Sequence, residues 1–387
     1  MKIKIGTLLN RAGPLIALIF VFALFAILGG SDFCQWGTMN DILMLSVIVG
    51  IAAVGATLVI ISGGIDLSVG CTIAAVTVVI ARMLNFKLGD AYLVQQFPIL
   101  WPLCALAGGI LFGAGVGVLI GSSVVGYLGR AAAVILGFLS IVWLRDAAAW
   151  PLIAGIPIGL LIGTALWFAS NLTLKKTPLP PFIVTLGLWA SLRGAAKWMA
   201  GASAVYVKVN EVNDKPIWLM DMMRDLKIGD ATLPMPGVWI WGILALAIGL
   251  MLKYTRFGRH IYAVGSNENT ARLCGINIEK TKILTYLVAI ACAGLAGVLR
   301  FAWLGMGDPT TDVGTELLVI ASVVIGGASL SGGVGGIGGT IIGTLIIMIV
   351  YKGCTVLGLR NYVQEIVTGA IIVTAVALDH IRHHKSE

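Results

Sequence analysis

Charge is scarce in this chain. Only 11% of its 387 residues are Asp, Glu, Lys or Arg, against 58% hydrophobic, and the mean hydropathy is +0.99. A water-soluble globule needs a more polar surface than that, so the class is excluded. Catalytic signatures are missing as well. The sequence has no Gly-Lys dipeptide and hence no P-loop, no His-Glu-x-x-His zinc helix and no Gly-x-Ser-x-Gly elbow. Gly333–Gly338 does fit G-x-G-x-x-G, but it follows a glycine cluster in an apolar region. It also lacks the acidic residue that a dinucleotide site carries about 20 positions later. The cysteines at 34, 71, 104, 274, 292 and 354 have neither Cys-x-x-Cys nor metal spacing and read as small buried hydrophobes. His380, His383 and His384 crowd the C-terminus as part of a basic tail. No catalytic residue, metal site or cofactor of its own is therefore assigned to the chain.

What the sequence does have is a succession of long apolar runs. About 20 apolar residues cross a hydrocarbon core of about 30 Å. The runs predict an all-α integral membrane protein with about ten to twelve transmembrane or half-membrane helices. They lie near 14–30, 41–62, 69–83, 99–121, 130–149, 151–171, 181–200, 237–253, 282–303, 316–328, 334–352 and 362–380. Little is left over, so residues 1–387 read as one transmembrane domain. The runs at 69–83 and 316–328 are short and read as half-helices or re-entrant segments. Lys2, Lys4 and Arg11 before the first run give it a signal-peptide look, but no clean small-x-small site follows. It reads as an uncleaved first span.

The net charge of +8 follows the positive-inside rule better than it suits a nucleic-acid partner. Segment 253–282 carries Lys253, Arg256, Arg259, Arg272, Lys280 and Lys282 against Glu268 and Glu279. It is expected in the cytoplasm, together with Lys175–Lys176 and both termini. Loop 201–236 mixes four basic with five acidic residues and is expected outside. Glycines recur at four-residue spacing in Gly113, Gly117 and Gly121 and again in Gly155, Gly159 and Gly163. That spacing lines one helix face and lets a second helix approach closely.

Two polar knots of small residues interrupt the apolar runs, Ser62–Gly70 and Gly326–Gly336. Polar groups at membrane depth are costly unless protein or water satisfies them, so these knots are where function is sought. Gly63 and Gly64 can break a helix. Asp66 and Ser68 then either cap the helix that follows or, with Ser62, line a polar path. Glu316, at the start of a short run, invites the same two readings. Ser329 and Ser331 either offer hydroxyls to a passing polyol or satisfy carbonyls freed by the glycines. Between two spans lies the polar stretch 257–280, longer than a plain connection requires. In it Glu268–Leu273 reads as a short helix bounded by Gly265 and Gly275, with Asn267 as N-cap, and as a docking element for a soluble partner.

Four stretches taken in order resemble the membrane permeases of bacterial ABC importers for monosaccharides, of the ribose, xylose and galactose type. They are Val59–Gly70, Pro181–Gly187 with Arg193-Gly194, Gly258–Lys282, and Ser322–Gly333 continuing to about residue 358. The resemblance implies a permease that forms a dimer with a second copy and sits on two ABC ATPase subunits. Those subunits would use the ATP and Mg, and a periplasmic sugar-binding protein would deliver solute to the inner membrane. It further implies that Gly265, Asn267, Glu268, Ala271, Arg272, Gly275 and Ile276 form the ATPase-coupling loop. Asn267 and Arg272 would make its polar contacts. The chain departs from the family in an extra apolar stretch near 123–150, containing Arg145 and Asp146, and at Lys352, where the family has an amide. The rival is a secondary carrier with broken helices, which would need Asp66 to carry a proton or sodium ion.

Overall fold

The computed structural model describes residues 5–127, 136–137, 140, 158–159, 161–166, 169, 178–209, 211–212, 215–228 and 231–384. The runs expected at 130–149 and 151–171, Gly155, the pair Arg145–Asp146 and the Lys175–Lys176 turn fall wholly or largely outside them. The helices are α1 (Ile5–Cys34), α2 (Trp36–Ile61), α3 (Val69–Leu84), α4 (Leu93–Gln96), α5 (Leu100–Val125), α6 (Pro181–Ala200) and α7 (Pro236–Tyr254). They continue with α8 (Arg256–Ser266), α9 (Glu268–Leu273), α10 (Ile278–Leu304), α11 (Thr315–Ile325), α12 (Ile337–Val356) and α13 (Asn361–His384). Among the described residues, six of these are long and apolar enough to cross a membrane: α1, α2, α5, α7, α10 and α12.

Helix α2 is apolar on every side and is accordingly the buried axis of the bundle. Around it pack α10, α12, α11 and α7, while α1 lies outermost against α12. Prolines at the first position of α6 and α7 occupy the one site where a missing N–H costs nothing. Helices α3 and α11 have 16 and 11 residues, about 24 and 16 Å of rise. Both are too short for a full crossing, as expected of the two short runs.

The two expected loops occupy opposite ends, because the single helix α7 leads from one to the other and α10 leads back. At the 201–236 end the chain is ordered by small antiparallel pairs. Strand Val205–Tyr206 pairs with Met306–Gly307, and Leu226–Ile228 forms a hairpin with Ala231–Leu233. Val205, Val207, Ile217, Leu219 and Met220 bury themselves against Val76, Ile80 and Phe301. Asn85 fastens the end of α3 there, donating to Tyr206 O and accepting from Lys208 N, each at 2.8 Å.

The glycine ladder Gly113, Gly117, Gly121 lies along α10, so that backbone meets backbone. A methyl group at Gly117 would stand 2.8 Å from Leu287 Cα, and one at Gly121 would stand 2.7 Å from Ile283 Cα. Gly115, on another face of the same helix, has nothing within 4 Å. Gly117→Ala is therefore expected to destabilise by about 1–3 kcal/mol through overpacking. Gly115→Ala should be neutral or slightly stabilising. Thermal unfolding of the detergent-solubilised protein compares the two, and equal midpoints would contradict the packing.

Candidate functional site

The two polar knots and the segment between α7 and α10 meet at one junction. Gly333 N–H donates to the carbonyl of Ile61, the last residue of α2, at 2.8 Å. Gly265 lies against both groups, with Gly333 N 2.8 Å from where its Cβ would be, so only glycine fits. Gly332, at φ +86, would bring a Cβ within 2.7 Å of Gly265 O and 3.1 Å of Gly63. Tyr262 completes the junction by donating to Gly335 O at 2.8 Å. Burial pushes its phenol above the usual value, which keeps it a donor. The serines of the knots serve the backbone here. Ser62 Oγ donates to Val59 O at 2.8 Å, and Ser329 Oγ accepts from Ser331 N at 3.2 Å.

A helical hairpin, α8 then α9, grows from this junction. Thr255 caps α8 by accepting from Gly258 N, and Asn267 caps α9 by accepting from Thr270 N at 2.9 Å. Gly275, at φ +80, ends α9 with two bonds, Gly275 N to Arg272 O and Ile276 N to Ala271 O. Ala271 and Ile276 pack with Val264 and Ile278 into a small core of their own. Of the seven residues assigned to the coupling loop, Gly265, Ala271 and Ile276 thus hold the hairpin together. Glu268 receives Lys282 of α10 at 2.7 Å, and Arg272 remains on the surface, where its 3.7 Å i,i+4 ion pair with Glu268 contributes little. Next to them Leu273 is 88% exposed.

A second polar cluster lies deeper, where α3 begins. Asp66 Oδ1 accepts from Ser68 N and Ser68 Oγ, both at 2.7 Å, fixing the turn before α3. Ser68 occupies the N-cap position but makes no side-chain cap, because its hydroxyl is spent on Asp66. Glu316 rests against the backbone of Gly70 and accepts from Trp189 Nε1 at 3.2 Å. One turn along α6 from Trp189, Arg193 donates to Pro309 O and Thr311 O at 3.0 and 2.7 Å. Cys71, in the first turn of α3 beside Gly70, donates its thiol to Ser68 O at 2.9 Å. Alongside, Arg300 donates to both carboxylate oxygens of Asp312 through the Nε–Nη2 edge of its guanidinium, and Thr315 donates to the same carboxylate at 3.1 Å.

The six residues assigned to a pathway thus divide between two places. Asp66, Ser68 and Glu316 share the deep cluster, whereas Ser62, Ser329 and Ser331 belong to the knots around the glycine junction. Sequence reasoning passed over Trp189, Arg193, Arg300 and Asp312 as site residues. The two arginines had a signal, since each is a cation inside an apolar run, Arg193 with Lys197 one turn on and Arg300 near the end of its span. Helix α8 was also missed, although Ile261 and Val264, which are buried, lie three apart behind a Thr cap. Lys352, the departure from the family pattern, is matched by Asp41 of α2 at 2.5 Å. Of the six cysteines, Cys34 and Cys274 are exposed rather than buried. Among the described residues no group of three His, Cys, Asp or Glu side chains is placed to hold a metal ion.

Comparison with known proteins bears on what these sites serve. Residues 126–376 match the family described as the permease component of the branched-chain amino acid transport system. The ribose import permease of Escherichia coli (strain K12) is 33% identical over 366 residues, covering 95% of this chain and 92% of the relative. The chain belongs to this permease family. A probable ABC transporter permease of the same organism is 31% identical over 368 residues, 95% and 89% of the two chains. The xylose transport permease of Haemophilus influenzae is 31% identical over 392 residues, 94% of each. No solved structure matches the chain.

The Arg300–Asp312 pair yields a direct test of the deep cluster. Its side chains are 13% and 0% exposed, and removing one partner of such a pair costs about 3–5 kcal/mol. Arg300→Met is expected to lower the thermal stability of the purified protein by that order. Asp312 has φ +58, a conformation that asparagine also tolerates. Adding Asp312→Asn to Arg300→Met should therefore recover a good part of the loss.

Proposed function

We propose that this chain is the membrane permease subunit of an ATP-driven importer, carrying a simple sugar, a pentose or a hexose, across the bacterial inner membrane. The observation that carries this reading is the end-to-end match to permeases named for ribose and xylose. The comparisons lend no support to an ion-coupled carrier. Separate ATPase subunits supply the energy, in keeping with the lack of a P-loop in this sequence. A periplasmic binding protein delivers solute at the 201–236 end, and a second copy of the chain completes the translocation path. ATP and Mg are handled by the partner subunits alone.

Orientation follows from charge. The end bearing Lys253, Arg256, Arg259 and Arg272 faces the cytoplasm with both termini, by the positive-inside rule. The α8–α9 hairpin then projects toward the ATPases. Arg272 and Leu273 on its surface supply one charge and one apolar contact to a groove of the partner, while Asn267 holds the helix that presents them. Because Gly265 binds the hairpin to both knots, displacement of α9 pulls on two breaks in the bundle at once. Alternating access then opens the path to one side at a time.

Co-purification tests the assignment. An ATPase encoded beside this chain is expected to come down with the wild-type permease in mild detergent and to be lost from Arg272→Glu and Leu273→Asp. Uptake of labelled ribose or xylose should require both that ATPase and ATP. Uptake that survives ATP depletion, with no ATPase bound, would sink this reading in favour of an ion-coupled carrier.

A further inference from the structure

Among the described residues, nine buried side-chain polar atoms meet no partner, and five of them belong to the deep cluster. They are Asp66 Oδ2, Glu316 Oε2, Arg193 Nε and Nη2, and the hydroxyl of Tyr286, which lies against Gly64. Their residues are 3%, 7%, 8% and 1% exposed. A desolvated polar atom left unpaired costs about 1–3 kcal/mol, and a packing fault would scatter such atoms rather than gather them.

The arrangement has a pattern. Each charged group is anchored by one half and open by the other. Asp66 spends Oδ1 on Ser68 and leaves Oδ2 free; Glu316 spends Oε1 on Trp189 and leaves Oε2 free. Arg193 spends Nη1 on two carbonyls and leaves the Nε–Nη2 edge free. Groups fixed on one side and unsatisfied on the other are preorganised for a ligand, because their geometry is set before anything binds.

We propose that Asp66, Arg193 and Glu316, with Tyr286, form a solute subsite on the translocation path, built for neighbouring hydroxyl groups of an uncharged polyol. The inference rests on the sugar-permease reading above and deepens it. A hydroxyl both donates and accepts, so a pair of them satisfies a carboxylate oxygen and a guanidinium N–H together. An aliphatic side chain in the same place would bury those atoms against carbon and leave them unpaired, which rejects a branched-chain amino acid. Two carboxylates beside one guanidinium likewise repel an anion. The subsite is closed in the structure, and it opens when the hairpin moves the knot that carries Asp66.

Cys71 supplies a reporter, being fully buried in the first turn of α3, where its thiol donates to Ser68 O at 2.9 Å and its neighbour Gly70 lies against Glu316. The experiment uses the full transport complex in proteoliposomes, with Cys71 the sole cysteine of the permease, and follows its modification by methyl methanethiosulfonate during ATP turnover. Saturating ribose or xylose should slow modification about tenfold, and leucine should not. Glu316→Gln and Asp66→Asn, in complexes that still assemble, should each weaken the protection about tenfold, the effect of one hydrogen bond to a charged group. Complexes that import sugar while Cys71 reacts equally with and without it, or does not react at all, would overturn the subsite and leave the permease reading standing. Protection by leucine would overturn the polyol assignment. A wild-type complex that imports no pentose or hexose, with ribose, xylose, allose and fructose each tried, would overturn the sugar reading and the subsite together.

Discussion

The hydrogen bond from Gly333 N–H to the carbonyl of Ile61 is the contact on which the arrangement of this bundle turns. In hydrocarbon every backbone donor and acceptor must find a partner within the protein. A helix end packed inside the protein likewise leaves carbonyls that only another segment of the chain can satisfy. Here α2 ends at Ile61 and the 326–336 knot closes against it, so each break supplies what the other lacks. Gly265 sits where neither backbone tolerates a side chain, and Tyr262 ties the knot once more through Gly335. The two halves of the chain and the α8–α9 hairpin are thereby held by backbone contacts, which do not loosen by rotamer change.

Breaking a helix inside the bundle also frees space for polar side chains. Asp66 is carried on the knot after α2, and Glu316 on the first turn of α11, after a non-helical stretch that begins at Gly305. Helix α6 links them. Thr185 lies nearest the first knot, Trp189 donates to Glu316, and Arg193 holds the carbonyls of Pro309 and Thr311. One face of one helix, read at four-residue intervals, therefore contacts the interrupted segments of both halves.

Within the hairpin, local rules and tertiary packing divide the work. Asn267 and Gly275 act through local geometry, one accepting from the helix start and the other adopting a left-handed φ at its end. Ala271 and Ile276 gain their role only because α8 folds back to bring Val264 beside them. That helix was hard to see, since its apolar residues are few and separated by arginine, histidine and glycine. Arg272 stays in solvent, where its ion pair with Glu268 contributes little and a partner's surface can compete for it, whereas Glu268 is tied to α10 through Lys282 at 2.7 Å.

By itself the sequence determined that this chain lives in a bilayer, where most of its long apolar helices run, and which of them stop short. Those properties follow from composition and periodicity over a window of a dozen or two residues, and α3, α9 and α11 fall where the pattern puts them. It also marked Asp66 and Glu316 as acids where acids are expensive. Only the tertiary structure decided that Glu316 rests against Gly70, four residues after Asp66, and meets Trp189 of the helix that carries Arg193, that Arg300 neutralises Asp312, and that Lys352 answers Asp41. It also separated Ser62, Ser329 and Ser331 from the deep cluster. Such pairings depend on how distant helices cross, and crossing is set by where glycine lets backbones touch, as Gly117 does on α10 and Gly265 does at the knots. No local pattern encodes which partner a lone charge will meet.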